Sequence, residues 1–183
     1  MFICAGESEQ FDFAVPVGIG LIDVAINLTE LILSKKPQKL FFVGTAGSYG
    51  NAKIFDIVTS CRATNIENSY FNAGAYTPIV SRETSLYDDP FCKEDIVVNS
   101  SNYITTQDDL GQYYLKEGIA IENMEFYAVI KVANRFHIPV AGAFVVTNYC
   151  NADAHQDFLN NQKEAMNKLT EYVKKREKID DTF

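Results

Sequence analysis

Histidine, cysteine and positive charge are all scarce in this chain, and each shortage excludes something. His137 and His155 are the only histidines in 183 residues, so a His-rich metal site has no basis, and no metal or other cofactor is expected. The four cysteines, Cys4, Cys61, Cys92 and Cys150, are scattered and form no C-x-x-C pair. That pattern fits reduced thiols in a cytoplasmic protein better than a disulfide framework or a zinc site. Lys and Arg number 16 against 24 Asp and Glu, a net charge of −8. Nucleic-acid binding needs clustered cations against phosphates and is not expected. The late cluster Lys174, Lys175, Arg176 and Lys178 is interleaved with Glu171 and Glu177, as in a solvated last helical turn. No apolar run is long enough to span a membrane, since the longest, Leu21 to Leu33, is broken by Asp23, Asn27, Thr29 and Glu30. Nor does a basic segment followed by an apolar core open the chain, so export is not expected.

What is present is material for a core. Hydrophobic residues make up 47% and aromatics 13%, enough for a single domain over residues 1–183. Phe2 to Ala5 and Phe11 to Val17 read as short strands around the polar turn Gly6 to Gln10. Leu21, Val24, Ala25, Leu28 and Ile32 recur at helical spacing until Pro37. Leu40 to Val43 is a continuous apolar run, the pattern of a strand buried on both faces, and it ends at Gly44. Ile54 to Ser60 and Asp95 to Asn99 are strand-like, and Cys61 to Ala63 could extend the first of them. Between them, residues 65 to 90 predict loops or short strands. A helix is expected from about Asn123, with Glu125, Val129, Val132, Ala133 and Phe136 on one face. Pro139 precedes a strand from Val140 to Thr147. A final helix from about Asp157 to Lys175 turns Phe158, Met166, Leu169 and Val173 inward. Strands alternating with helices predict a largely parallel or mixed sheet covered on both faces. Ligands then gather beyond the strand ends, at Gly44-Thr45, Asn99-Ser100 and Thr147-Asn148.

Three segments could carry chemistry, and each has a plainer reading beside it. Gly18-Ile19-Gly20 opens a helix, where backbone N–H groups can hold an anion. It equally suits a tight turn, and it lacks the third glycine of a dinucleotide fingerprint. Gly44 to Gly50 is either an ordinary Gly-rich turn or a wall whose Thr45 and Ser48 hydroxyls meet sugar or phosphate oxygens. Glu125, at a helix start, either complements the helix dipole or accepts two hydrogen bonds from a vicinal diol.

Their order and spacing add information. Gly18-Ile19-Gly20 before a helix, then Phe42-Val43-Gly44-Thr45-Ala46-Gly47, then Asp56-Ile57-Val58, resembles the nucleoside phosphorylase and methylthioadenosine nucleosidase superfamily, with its S-G-I-G-K, G-[ST]-A-G-G and G-D-[IV]-V. Val98 to Ile104 looks like the family's V-S-G-D-A-F-I. Met124-Glu125 followed by Ala128, Val132, Phe136 and Ile138-Pro139 looks like its M-E helix and V-P strand entry. Val146-Thr147-Asn148 stands where the family reads I-S-D. The resemblance runs from about residue 14 to 175 and implies a three-layer α/β domain of the phosphorylase/hydrolase-like type. Its central mixed, largely parallel sheet is flanked by helices.

The resemblance also implies roles. Glu125 is similar to the glutamate that grips the ribose 2′ and 3′ hydroxyls, a task suited to a group with acceptors only. Met124 would pack under the sugar. Tyr103 looks like the aromatic that stacks on the purine, with Ile104 presenting its backbone to the base edge. Thr45 resembles the hydroxyl residue near the attacking phosphate or water, within a wall that includes Ala46 and Gly47. Three departures from the family's pattern bear on the chemistry. Asn148 replaces an aspartic acid that protonates the leaving base, and an amide is no general acid; trimeric purine nucleoside phosphorylases carry a similar T-N. Phe42 stands where phosphorolytic members place arginine, which leaves Arg62, Arg82 or a neighbouring subunit to meet a phosphate. The first strand-and-helix unit is reduced, so the N-terminal glutamate that activates water must come from Glu7 or Glu9, and only if the Gly6 to Gln10 turn folds over the site. Glu7, Gly20 and Thr45 are the candidates for the phosphate or water site, and Asn148 for catalysis.

The function this implies is cleavage of a purine nucleoside N-glycosidic bond, by nucleosidase or phosphorylase chemistry, with 6-oxopurine nucleosides favoured through Asn148. The alternative is a catalytically impaired relative that binds a purine nucleoside or acts as a structural partner. The expected partners are a purine nucleoside or base, phosphate if the reaction is phosphorolytic, and further copies of the chain, as a dimer or a trimer of dimers. The aromatic segment Tyr70 to Tyr87 would serve as contact surface, or else be a locally packed loop.

Overall fold

The computed structural model describes residues 1–79, 81–86 and 96–180, and only the backbone over 176–180. Nine strands share one sheet among these residues: β1 (Phe2–Cys4), β2 (Val15–Pro16), β3 (Leu40–Ser48), β4 (Ile57–Ser60), β5 (Arg62–Thr64), β6 (Arg82–Thr84), β7 (Val97–Ser100), β8 (Ile119–Asn123) and β9 (Val140–Tyr149). Four helices, α1 (Gly20–Lys35), α2 (Leu110–Lys116), α3 (Phe126–Arg135) and α4 (Ala154–Asp180), complete it. The sheet runs β2-β1-β3-β8-β7-β5-β6, with β9 on the other edge of β3 and β4 beyond β9. Pairing is parallel except for β3–β8, β4–β9 and β5–β6. A mixed, largely parallel sheet was expected and is found.

Period-two alternation along β3 and β9 supplies two apolar faces. Leu40, Phe42, Val140 and Phe144 pack with Val24, Leu28 and Ile32 of α1 and with Phe126, Val129 and Ile130 of α3. Phe41, Val43, Ala141, Ala143 and Val145 pack with Ala165, Leu169 and Val173 of α4. Of the four residues expected to face inward on α4, Leu169 and Val173 are buried, while Phe158 and Met166 are half-buried. The helices α1 and α3 stop for local reasons. Lys36 takes a left-handed φ of 49° before Pro37, and His137 does the same at 57° after α3, where Ile138 N–H donates to Ala133 O at 3.0 Å.

Several boundaries differ from the sequence expectation. The Gly-rich run after Val43 is no turn: β3 continues to Ser48, because β9 and β8 offer ladder partners to Gly47 and Ser48. Phe11 to Ala14 is a turn and not strand, closed by Ala14 N–H to Phe11 O. β4 stops at Ser60, Cys61 is a bend, and Arg62–Thr64 pairs separately with β6 and β7, so the two are not one strand. The pair α2–β8 had no counterpart in the periodicity. Asp95, Val80 and Tyr87 lie outside the described residues, as does Cys92. Cys4 and Cys150 are free and buried, whereas Cys61 is disulfide-bonded, against the expectation of four reduced thiols. No helix among the described residues is long and apolar enough to cross a membrane, and no group of three or more His, Cys, Asp or Glu among them could hold a metal ion.

Candidate active site

A cavity of about 250 Å³ opens at the ends of β3 and β9, against the Gly6–Gln10 turn, the starts of α3 and α4 and the loop after β7. Its walls include Thr45, Ala46, Gly47, Ile104, Met124, Glu125 and Asn148, seven of the residues the sequence singled out. Ser8, Glu9, Glu122, Thr147, His155 and Phe158 complete much of the remainder. Among the described residues no lysine or arginine lines it; three glutamates do.

Glu9, and not Glu7, reaches the cavity. Its carboxylate takes the Thr45 N–H at 2.8 Å on one oxygen and the Thr45 hydroxyl at 2.5 Å on the other. The turn that carries it is closed by Glu9 N–H to Gly6 O and tied to α4 by the Gln162 amide donating to Ser8 O at 2.7 Å. Glu7 is exposed, with a left-handed φ of 51°; the same turn that points Glu9 inward turns Glu7 outward. Burial pushes the Glu9 carboxyl up from its ordinary range, and the two Thr45 bonds oppose this.

Glu125 is 4% exposed and is held from three sides. Gly20 N–H donates to Oε1 at 3.0 Å; Asn123 Nδ2 and Met124 N–H donate to Oε2 at 2.6 and 3.1 Å. Asn123 also caps α3, its Oδ1 accepting from the N–H groups of Glu125 and Phe126, both at 2.8 Å. The anion expected at the glycine turn is therefore the chain's own Glu125. Gly20, at φ 79°, spends its N–H on that carboxylate and does not line the cavity. Burial, and then the charge of Glu9, push Glu125 up to about 7.

At the other end, Asn148 accepts from the Thr147 hydroxyl at 2.8 Å and donates to Tyr149 O at 3.1 Å. Thr147 is itself anchored through its carbonyl to Asn161 Nδ2. Glu122 accepts from the Tyr49 hydroxyl at 2.7 Å and from Thr105 N–H at 2.9 Å. Neither Glu122 nor His155 was flagged by sequence, and Phe158 was expected in the core and not at the cavity. β8 carries no alternation strong enough to announce a strand, so nothing placed Glu122 opposite Gly47.

Some expected residues fall elsewhere. Tyr103 is 76% exposed and is not among the cavity walls; its neighbour Ile104 is. Asn99 and Ser100, at a strand end expected to meet ligand, are structural: Asn99 Oδ1 accepts from Thr64 and Ile66, and Ser100 Oγ from Tyr127 N–H. Phe42 is fully buried, with its ring 5.9 Å from Phe126 and 5.8 Å from Phe144. Neither Arg62 nor Arg82 lines the cavity, and Arg82 pairs with Glu117 at 2.9 Å.

The fold recurs in solved structures. One is a Helicobacter pylori methylthioadenosine/S-adenosylhomocysteine nucleosidase variant with 5′-methylthioadenosine in its active site, 15% identical, with a TM-score of 0.78 and 95% of each chain covered. A second is the futalosine hydrolase of the same organism, 15% identical, TM-score 0.78, with 94% of each chain covered. A third is the Neisseria meningitidis methylthioadenosine/S-adenosylhomocysteine nucleosidase in complex with methylthio-immucillin-A, 16% identical, TM-score 0.74, covering 94% of this chain and 95% of that one. A sequence comparison with curated proteins finds no match. The sequence profile of the phosphorylase superfamily matches residues 13–175, and the chain belongs to that family.

Proposed function

We propose that this chain hydrolyses the N-glycosidic bond of purine nucleosides, with water as acceptor. The observation that carries this reading is Glu9, clamped by Thr45 in a cavity lined by three glutamates and, among the described residues, by no lysine or arginine. A phosphate dianion needs cationic partners, and the position where phosphorolytic relatives carry arginine is here Phe42, inside an aromatic cluster. A water beside Glu9 meets a base able to take its proton as it attacks C1′. Glu125 accepts the ribose hydroxyls while Met124 packs under the ring. Asn148 cannot supply a proton to the leaving base. Its amide instead donates to O6 and accepts from N7–H, the proton there being taken from solvent as the base departs, which favours 6-oxopurines. The names nucleosidase and hydrolase carried by structures of the same fold agree with water as acceptor.

Further copies of the chain are the expected partner. Ile22, Ile26 and Leu33 lie on one face of α1 and are 69%, 53% and 62% exposed, an apolar stripe beside the exposed Tyr70, Tyr76, Ile79 and Leu86 of the aromatic segment. Sedimentation velocity of the wild type and of Ile22→Glu tests this. The function is tested by incubating pure protein with inosine, guanosine, adenosine and methylthioadenosine, with and without phosphate. Free base with free ribose, independent of phosphate, is the expected outcome. Strictly phosphate-dependent release of ribose 1-phosphate overturns it, and tight binding without base release identifies a catalytically impaired relative.

A further inference from the structure

Two side chains on one rung of the sheet hold the start of α3. Ser100 of β7 is paired with Asn123 of β8. Asn123 Oδ1 accepts from the N–H groups of Glu125 and Phe126, both at 2.8 Å, and Ser100 Oγ accepts from Tyr127 N–H at 3.0 Å. Three successive N–H groups at a helix start, which lack partners within the helix, are thus taken by the sheet. Glu125 stands at the head of that helix, so its backbone is fixed wherever β7 and β8 are fixed.

The same Asn123 reaches the Glu125 side chain. Because two backbone donors face Oδ1, the amide nitrogen has to face the carboxylate; a flipped amide would set N–H against N–H and oxygen against oxygen. Nδ2 then donates to Oε2 at 2.6 Å. Met124 N–H fills the same oxygen at 3.1 Å, while Oε1 has the Gly20 N–H at 3.0 Å. A carboxylate oxygen accepts about two hydrogen bonds, so Oε2 is occupied and Oε1 keeps a position. Asn123 and Glu125 are both cavity walls, 8% and 4% exposed. The task needs an acceptor and an obligate donor on one short arm, which among short side chains only asparagine supplies.

We propose that Asn123 is the positioning residue of the sugar grip: its amide holds Oε2 of Glu125 and leaves Oε1 to accept from the ribose. The inference rests on the purine nucleoside reading above and adds the residue that decides which carboxylate oxygen meets the sugar. It also ties that oxygen to the sheet, since one side chain fixes both the helix that carries Glu125 and the carboxylate itself.

Two variants test this, with thermal melting as the check on folding. Asn123→Ser keeps a hydroxyl acceptor for the helix start, where serine is a favoured residue, and loses the amide donor. Its KM for inosine should rise about tenfold or more, the scale of a hydrogen bond to a charged group, while hypoxanthine binding stays unchanged. Asn123→Asp keeps both acceptors and can donate only while protonated, because two carboxylates so close do not both ionise readily. Its KM for inosine should therefore worsen as pH rises, whereas the wild-type KM should improve as Glu125 ionises through about 7. Glu9, Glu122 and His155, the other titratable groups on the cavity walls among the described residues, are common to all three proteins, so the comparison isolates position 123.

A further readout needs no ligand. Infrared difference spectra against Glu125→Gln follow the Glu125 carboxyl, and its titration midpoint should move to higher pH by about one unit in Asn123→Ser. An unmoved midpoint in folded Asn123→Ser overturns the assignment. So do equal losses of inosine and hypoxanthine, or an Asn123→Asp whose KM follows the wild type at every pH. A wild type that neither binds nor cleaves any purine nucleoside removes the hydrolase reading itself, and the infrared midpoint then decides the tie between Asn123 and Glu125 alone.

Discussion

The two ends of the cavity are built by different means. At the end proposed for the sugar, Glu9 and Glu125 come from a turn and a helix start and are aimed by hydrogen bonds from Thr45, Gly20, Asn123 and Met124. At the end proposed for the base, Glu122, Gly47 and Asn148 are set by the register of β8, β3 and β9. A turn held by a few hydrogen bonds places one functional group accurately, yet it fails when one donor is lost. A ladder places groups as rigidly as the sheet itself, and its neighbours tolerate substitution. Changes at the sugar end should therefore alter rate and ribose affinity, and changes at the base end should alter selectivity.

The largest effect is expected at Glu9. Glu9→Gln keeps an acceptor for Thr45 and removes the base, so kcat should fall about 10²–10⁴-fold, the usual scale for general base catalysis. KM should move little, because the proposed role of Glu9 is to meet the attacking water and not the sugar. Base release under saturating nucleoside measures this; an unchanged kcat would show that the water is activated elsewhere.

Next comes the proton balance of the sugar end. Burial and the nearby Glu9 charge raise Glu125 from an ordinary value of 4.5 to about 7 in the folded chain. The folded state thus holds its proton more tightly than the unfolded state. The associated stability is fully present below about pH 4.5 and is lost as pH rises through 7, a change on the order of 3 kcal/mol. Burial shifts Glu9 and Glu122 the same way. The ligand-free melting temperature should fall between pH 5 and pH 8, and the fall should be smaller in Glu125→Gln. Parallel pH profiles for the two proteins would contradict the assignment.

The same contrast explains how much was legible in the sequence. Continuous apolar runs and helical spacing exposed β3, β9, α1, α3 and α4, since each buries a face against the core. Met124, Glu125, Thr45 and Asn148 were legible because local motifs carry them. The choice between Glu7 and Glu9 was not, because it depends on which residue of a five-residue turn points inward, and that is fixed by Thr45 and by Gln162, 153 residues after Glu9. Glu122 was hidden for a related reason. Its partners Tyr49 and Thr105 and its opposite number Gly47 all come from other elements, and register between distant strands leaves no local trace. Gly20 was a candidate for holding an anion or for a tight turn alone, and its N–H donates to the chain's own Glu125.

A smaller effect should follow removal of the Glu125 charge in binding. If Glu125 accepts from the ribose diol, Glu125→Gln should weaken nucleoside binding by about 1.5–3 kcal/mol, the range for hydrogen bonds to a charged group. Free-base binding should hardly change, since the base contacts lie at the other end of the cavity. Calorimetry with inosine and hypoxanthine separates the two, and equal losses for both would place Glu125 away from the sugar.

The smallest expected effect is at Asn148, and it concerns choice more than rate. Against a 6-oxopurine its amide can donate to O6. Against adenine the same N–H faces the N6 amino group, leaving a buried donor unpaired at a cost of about 1–3 kcal/mol. That corresponds to a preference for inosine over adenosine of roughly five- to a hundredfold. In Asn148→Asp the new carboxyl enters a cavity already lined by Glu9, Glu122 and Glu125, where a further negative charge is disfavoured. It should remain protonated near neutral pH and donate to N7, which suits adenine. The Thr147 hydroxyl that now donates to Oδ1 at 2.8 Å can keep one carboxyl oxygen in place, so the variant should retain the geometry of the wall. Adenosine should then gain relative to inosine. Competition binding of the two nucleosides to both proteins reads the shift directly. A wild type that holds adenosine at least as tightly as inosine would refute this account of Asn148, whatever the variant does.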